Sequence, residues 1–193
     1  MHGKKLDSLI TQNTMNNQTI AEIYAGNQKI QQKFREQLSA LTDEQATALP
    51  EGETWSAAQI AEHVAIVEEG VSRICAKLLE KAQEAGKLSD RGAVISENFR
   101  ERGVEVADIK LEAPAMVHPV NGRSITESLA KMEETAAKFD ELRTLFETCD
   151  CNDFKFPHPY FGDLSAAEWL SLTGGHKIRH LKQIRNVLAK IGQ

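Results

Sequence analysis

The sequence predicts an all-α protein, a four-helix bundle with a long crossover between the second and third helices. Three observations carry this. Four segments place apolar residues at spacings of three and four, the period of a helix buried along one face. Three of them open with a Ser-x-x-Glu/Gln capping box. Chain breakers are few, Gly 12 and Pro 5 in 193 residues, and most fall between those segments, where a sandwich or barrel would need turns throughout. The length suits one domain over residues 1–193, because single cores of roughly 100–200 residues are the norm.

Residues 1–15 are polar and read as a frayed lead-in. Thr19 or Asn17 caps a first helix that runs to about Leu41 and buries Ile20, Ile23, Tyr24, Ile30, Phe34 and Leu38. Asn27 and Gln31 interrupt its stripe as boundary residues. Thr42 to Leu49 is a turn or a one-turn helix. Ser56 and Gln59 form the box that starts the second helix near Ala57. Ile60, Val64, Val67, Val71, Ile74, Leu78 and Leu79 continue it to Ala85-Gly86, where Gly supplies the stop. Residues 86–123 break the pattern. They read as a crossover with an extended stretch at Val104, Val106, Ile109 and Leu111, and room for a short helix near Val94 to Arg100. Ser124 and Glu127 start the third helix, through Leu129, Met132, Phe139 and Phe146. Cys149 to Gly162 reads as a loop. Ser165 and Glu168 start the fourth, through Trp169, Leu172, His176, His180, Ile184 and Val187.

The crossover length sets the topology. A second helix of about 29 residues is roughly 43 Å long. A link of about 38 residues, at roughly 3.3 Å each when extended, can return along all of it. The second and third helices therefore run parallel, with the first and fourth antiparallel to them.

Composition excludes several classes. A net charge of -5 opposes a nucleic-acid partner, which needs clustered cations. Lys177, Arg179, Lys182 and Arg185 form a local basic run that reads as a solvated face near a helix C-terminus. No apolar run approaches the roughly 20 residues of a membrane span, and the N-terminus shows no signal peptide. Cys75, Cys149 and Cys151 are odd in number, which argues against a secreted disulfide framework and for a reducing cytoplasm. Cys149-Asp150-Cys151 lacks the C-x-x-C spacing of a redox pair or zinc knuckle.

The histidines carry the chemistry. His176 and His180 are spaced i, i+4, so both rings leave the fourth helix on one face, and that face is apolar. His63 lies on the core stripe of the second helix. In the topology above, His63 and His180 sit roughly 10 and 16 Å from the same end of the bundle, a gap that imidazole side chains can close. A pair of ordinary core histidines is the commoner reading of H-x-x-x-H alone; the third ring on a facing helix points to a metal. Imidazole suits Zn, Ni, Fe and Cu, and three protein ligands leave a fourth position for water or substrate.

Trp55-Ser56-Ala57-Ala58-Gln59-Ile60-Ala61-Glu62-His63 resembles the W-[ST]-x-x-[EQ]-x-x-x-H segment of the DinB-like superfamily. The run from His158 to Trp169 resembles the turn into that family's last helix. His176-Lys177-Ile178-Arg179-His180-Leu181-Lys182-Gln183-Ile184 is similar to its H-x-x-R-H-x-x-Q-I signature. The resemblance covers roughly residues 20–190. It implies a four-helix bundle with the same crossover, often a homodimer, and a divalent transition metal (Zn, Ni, Fe or Mn) held by His63, His176 and His180. Characterised relatives include bacillithiol and mycothiol S-transferases and a mycothiol-dependent maleylpyruvate isomerase. The expected partner is thus a small-molecule substrate or a low-molecular-weight thiol.

Around these ligands the sequence leaves roles open. His158 is either a surface loop residue or a catalytic candidate, as donor or general base. Gly174-Gly175 is either a tolerated weak spot or space beside the metal. Glu62 points about 100° from His63 and reads as a solvated charge. Trp55 reads as a staple at the helix start or as lining of the site. Two functions fit: a metal-dependent enzyme, by thiol S-transfer or hydrolysis, and a non-catalytic protein that binds a metal or small ligand under stress.

Overall fold

Thr19, Thr42, Ser56, Ser96, Ser124 and Ser165 each accept a bond from the backbone N–H three residues on, and each starts a helix. The side-chain oxygen satisfies a donor that the first helical turn leaves unpaired. The computed structural model describes residues 19–89, 95–107 and 109–192. The helices that follow these caps are α1 (Ile20–Ser39), α2 (Asp43–Thr47), α3 (Ala57–Glu84), α4 (Glu97–Val106), α5 (Ile125–Thr148) and α6 (Ala166–Lys190). A 3₁₀ turn spans Ala115–Val117, and strands β1 (Lys155–His158) and β2 (Gly162–Ser165) precede α6. No described helix is long and apolar enough to cross a membrane. The expected frayed lead-in, the Asn17 cap and the Val94 helix start lie outside the described residues.

Contacts fix the directions of the four long helices. Asn27 of α1 donates to the Leu170 carbonyl of α6 at 2.9 Å, and Arg185 reaches Gln37 at 3.5 Å near the other ends, so α1 and α6 run parallel. Lys131 pairs with Glu69 at 2.9 Å, and Leu88 bridges Cys149 just beyond the helix ends, so α3 and α5 run parallel. Tyr24, near the start of α1, donates to the Phe139 carbonyl and meets Phe146 edge-on at 6.2 Å, late in α5. The Cys75 thiol reaches the Ala166 carbonyl at 3.5 Å, which opposes α3 and α6. This is the topology the crossover length predicts.

The apolar core has two parts. One joins Ile23, Tyr24, Leu78, Phe146, Leu164 and Leu170 among others. The other joins Phe34, Leu38, Ile60, Val64, Met132 and Ile184. Burying each such side chain contributes about 1.5–3 kcal/mol. Between the two parts lies a polar layer. Glu68 of α3 and Lys177 of α6 are buried there and pair at 2.5 Å. Burial raises the Glu68 pKa, and the ammonium beside it opposes the shift.

Four expectations are corrected. The stretch at Val104 and Val106 is helical, as part of α4, because Ser96 caps it and Arg179 donates to the Val106 carbonyl at 3.0 Å and also to that of Ile109. Residues 149–162 are not all loop: Lys155 to His158 pair antiparallel with Gly162 to Ser165. The turn closes at Gly162, whose φ of 72° side-chain-bearing residues rarely adopt. Lys177 leaves the solvated basic face for the interior, while Lys182 and Arg185 stay exposed. Glu62 is buried rather than solvated, for a reason that belongs to the metal centre.

Candidate metal centre

α3 and α6 cross with His63 facing His176 and His180. The Nε2 atoms of His63 and His176 lie 3.3 Å apart, and those of His176 and His180 3.1 Å apart. The three ligand atoms fall within 4.8 Å of one another. Ring centroids lie 4.4 to 5.2 Å apart. Nitrogens bound tetrahedrally at about 2.0–2.1 Å are about 3.3–3.4 Å apart, so the two spacings to His176 match those of ligands on one ion. The structure thus brings together the three residues named as ligands from the sequence.

Protonation states support the same role. Burial lowers the pKa of His63, against the opposing effect of its bond to Val117. Burial, and then the neighbouring imidazoles, hold His176 far below its usual value. Burial pushes His180 down to about 3, with His63 adding to the shift. All three rings are neutral at pH 7, the state in which imidazole offers a lone pair to a metal.

The tautomers are set from behind. His63 Nδ1 lies 2.7 Å from the Val117 carbonyl, which only accepts, so Nδ1 carries the proton and Nε2 is bare. His180 Nδ1 lies 2.8 Å from the side-chain oxygen of Gln183, one turn on, and the same logic applies. Such outer contacts orient metal ligands and raise their basicity. His176 Nδ1 is buried without a partner. Its residue keeps partial exposure while His63 and His180 are buried.

The Val117 carbonyl belongs to the crossover, and Glu62 keeps it there. Its carboxylate accepts from the backbone N–H of Asn121 at 2.7 Å and of Arg123 at 3.2 Å. Glu62 does point away from His63, as helical geometry requires, but the face it points to is covered by the end of the crossover. Trp55 packs on the His63 ring at 4.8 Å and meets His118 edge-on at 5.8 Å. It therefore lines the site, and His118 of the crossover stands beside it. Spacing shows none of these contacts; Trp55, Glu62 and Gln183 sat in motifs that drew attention, whereas Val117 and His118 sat in none.

His158 ends β1 and is half-buried, not a surface residue. Its ring lies 5.1 Å from Trp169 and 5.1 Å from Phe161. Burial lowers its pKa to about 4. Gly174 and Gly175 part company. A Cβ at Gly174 would collide with the Asn27 side chain, whereas one at Gly175 meets nothing. The space at Gly174 therefore admits α1 and does not serve the metal. A cavity of about 330 Å³ between α1, α2 and α6, lined by Gln37, Leu41, Gln45 and Arg185, touches none of the histidines.

Residues 28–184 match the sequence profile of the DinB superfamily. The chain is 28% identical over 160 residues to the uncharacterised protein YuaE of Bacillus subtilis strain 168, an alignment spanning 80% of this chain and 90% of that one. It also superposes on the crystal structure of TT2238, a four-helix bundle protein. There the TM-score is 0.57 at 21% identity, over 87% of this chain and 99% of that one.

Proposed function

This chain belongs to the DinB superfamily, and from that premise we propose that it is a divalent-metal-dependent enzyme that transfers a low-molecular-weight thiol to an electrophilic small molecule. The observation that carries the proposal is the convergence of three neutral Nε2 atoms with two tautomers set from behind. An all-imidazole donor set favours Zn, Ni or Fe over Mn, which prefers oxygen ligands. A metal bound there supplies a Lewis acid that keeps a bound thiol in its anionic form at neutral pH.

The chain's own residues hold and shield. Val117 and Gln183 orient His63 and His180, and Trp55 covers the His63 ring and keeps water from it. The reaction breaks the S–H bond, forms a carbon–sulfur bond and breaks the electrophile's bond to its leaving group, which departs with the electron pair and takes up the proton the thiol gives up. Hydrolysis is less well supported, because no carboxylate joins the three histidines as a ligand or base among the described residues. Three free cysteines, all buried, suit a reducing compartment.

The test is metal content of the untagged protein by mass spectrometry, against His180→Ala, followed by a conjugation screen of small thiols with several electrophiles. About one metal per chain in the wild type and a sharp loss in the variant are expected, since the variant keeps only two of the three protein ligands. Sub-stoichiometric metal under replete conditions overturns the centre. Metal without turnover for any thiol overturns the transferase and leaves a binding protein.

A further inference from the structure

His158 is the one candidate residue that the proposed chemistry does not use, and its surroundings are unusually specific. The ring closes β1 at the position paired with Gly162. The chain then turns back, and the backbone N–H groups of Tyr160 and Phe161 both point at His158 Nδ1, at 3.1 and 3.3 Å. Aromatic rings flank it: Trp169 and Phe161 at 5.1 Å and Tyr160 at 6.2 Å.

Two N–H donors on one ring nitrogen make that nitrogen the acceptor. A neutral imidazole has a single acceptor nitrogen, so Nε2 must carry the proton. Protonating Nδ1 would break both backbone contacts, and burial already opposes a charge on the ring. The ring therefore cannot serve as a base through either nitrogen. Nε2 has no partner among the described residues and is not among the buried unpaired atoms, so this N–H stays open to an incoming molecule.

The position lies along α6 from the metal centre. Trp169, on which the ring packs, is two helical turns before His176 on the same face of α6, about 10 Å along the axis. The hairpin is tied to the crossover by Tyr160, whose hydroxyl donates to the Glu112 carbonyl at 2.7 Å, and the same crossover holds His63 through Val117. The hairpin is thus joined both to the crossover that holds His63 and to the α6 face that carries His176 and His180.

We propose that His158 is a built-in hydrogen-bond donor of this site, which takes an oxygen acceptor, a carboxylate or carbonyl, on the molecule that occupies the open metal position. This deepens the reading above and rests on it for the metal. It replaces the base role with a binding role and assigns a substrate class: small molecules with an acceptor oxygen within reach of the metal-bound end.

Two measurements test it. The first needs no metal. Nitrogen NMR of histidine-labelled protein is expected to show His158 neutral, with its proton on Nε2, from pH 5.5 to 8. A proton on Nδ1, or titration in that range, overturns the proposal. The second is a titration of the cobalt-loaded protein with acetate, followed by its visible spectrum, in wild type and His158→Phe, which keeps an aromatic ring in the Trp169 stack. Loss of one such bond is expected to weaken acetate about tenfold, at equal cobalt content. Equal acetate affinity overturns the proposal. Ethanethiol, which has no acceptor oxygen, is expected to bind both proteins alike; if ethanethiol binds neither while acetate discriminates, the thiol reading falls and the donor stands. If the protein takes no cobalt, the metal premise falls, and the NMR result alone decides the donor.

Discussion

Replacing Glu62 with Ala tests how the crossover serves the metal centre. Glu62 is 1% exposed and accepts two backbone N–H bonds, at 2.7 and 3.2 Å, from Asn121 and Arg123. A hydrogen bond to a charged group contributes about 1.5–3 kcal/mol. Asn121 is exposed and Arg123 half-buried, so water replaces part of what is lost, and the low end applies to each bond. The expected cost is therefore about 3 kcal/mol for the pair. For a chain of this size that lowers Tm by about 6–12 °C. The second effect is on the metal. Without Glu62 the end of the crossover lifts, Val117 leaves His63 Nδ1, and the ring loses its tautomer. Loss of such an outer contact typically costs about 10–100-fold in metal affinity. The assays are thermal melts of the metal-free protein and calorimetric titration with zinc, with Glu62→Gln as a milder control. A Tm unchanged from wild type refutes the burial argument. A lowered Tm with unchanged zinc affinity refutes the coupling of Glu62 to His63.

Other perturbations have definite signs. Lys177→Met leaves the Glu68 carboxylate buried and unpaired and is expected to cost about 3–5 kcal/mol in denaturant melts, whereas Glu68→Leu with Lys177→Met together restores or exceeds wild-type stability. Gly175→Ala, on an open helix face, is expected to stabilise by about 1 kcal/mol from helix propensity; Gly174→Ala, against Asn27, loses about 1–3 kcal/mol by overpacking, measured the same way. His63, His176 and His180 all have folded pKa values below the ordinary 6.5 of the unfolded chain, that of His180 at about 3. The unfolded state takes up these protons first as pH falls. Stability of the metal-free protein is therefore full above pH 6.5 and lost progressively below it, down toward the folded values. A melting series from pH 8 to 4 checks this, and a Tm independent of pH between 6.5 and 5 would contradict it.

The sequence by itself determined the four long helices, their order and their buried faces. Apolar spacing and capping residues are local, and each acts within a few positions of itself; Ser56, Ser124 and Ser165 cap where their motifs placed them. It also pointed to the three histidines that meet, because two of them share one helix face and the crossover is long enough for a topology that brings the third beside them. Tertiary structure decided what surrounds them. Glu62 and Lys177 carry charge and so read as solvated, yet each is buried by a partner far along the chain, the 121–123 turn and Glu68. The Val117 carbonyl that orients His63 is a backbone atom, which no side-chain pattern marks. The strands around His158 are four residues each, too short for an alternation to show, and they exist because the turn at Gly162 and the start of α6 hold them together. Such contacts join residues with no common period, so they become visible only once the helices have packed and the crossover has been laid across them.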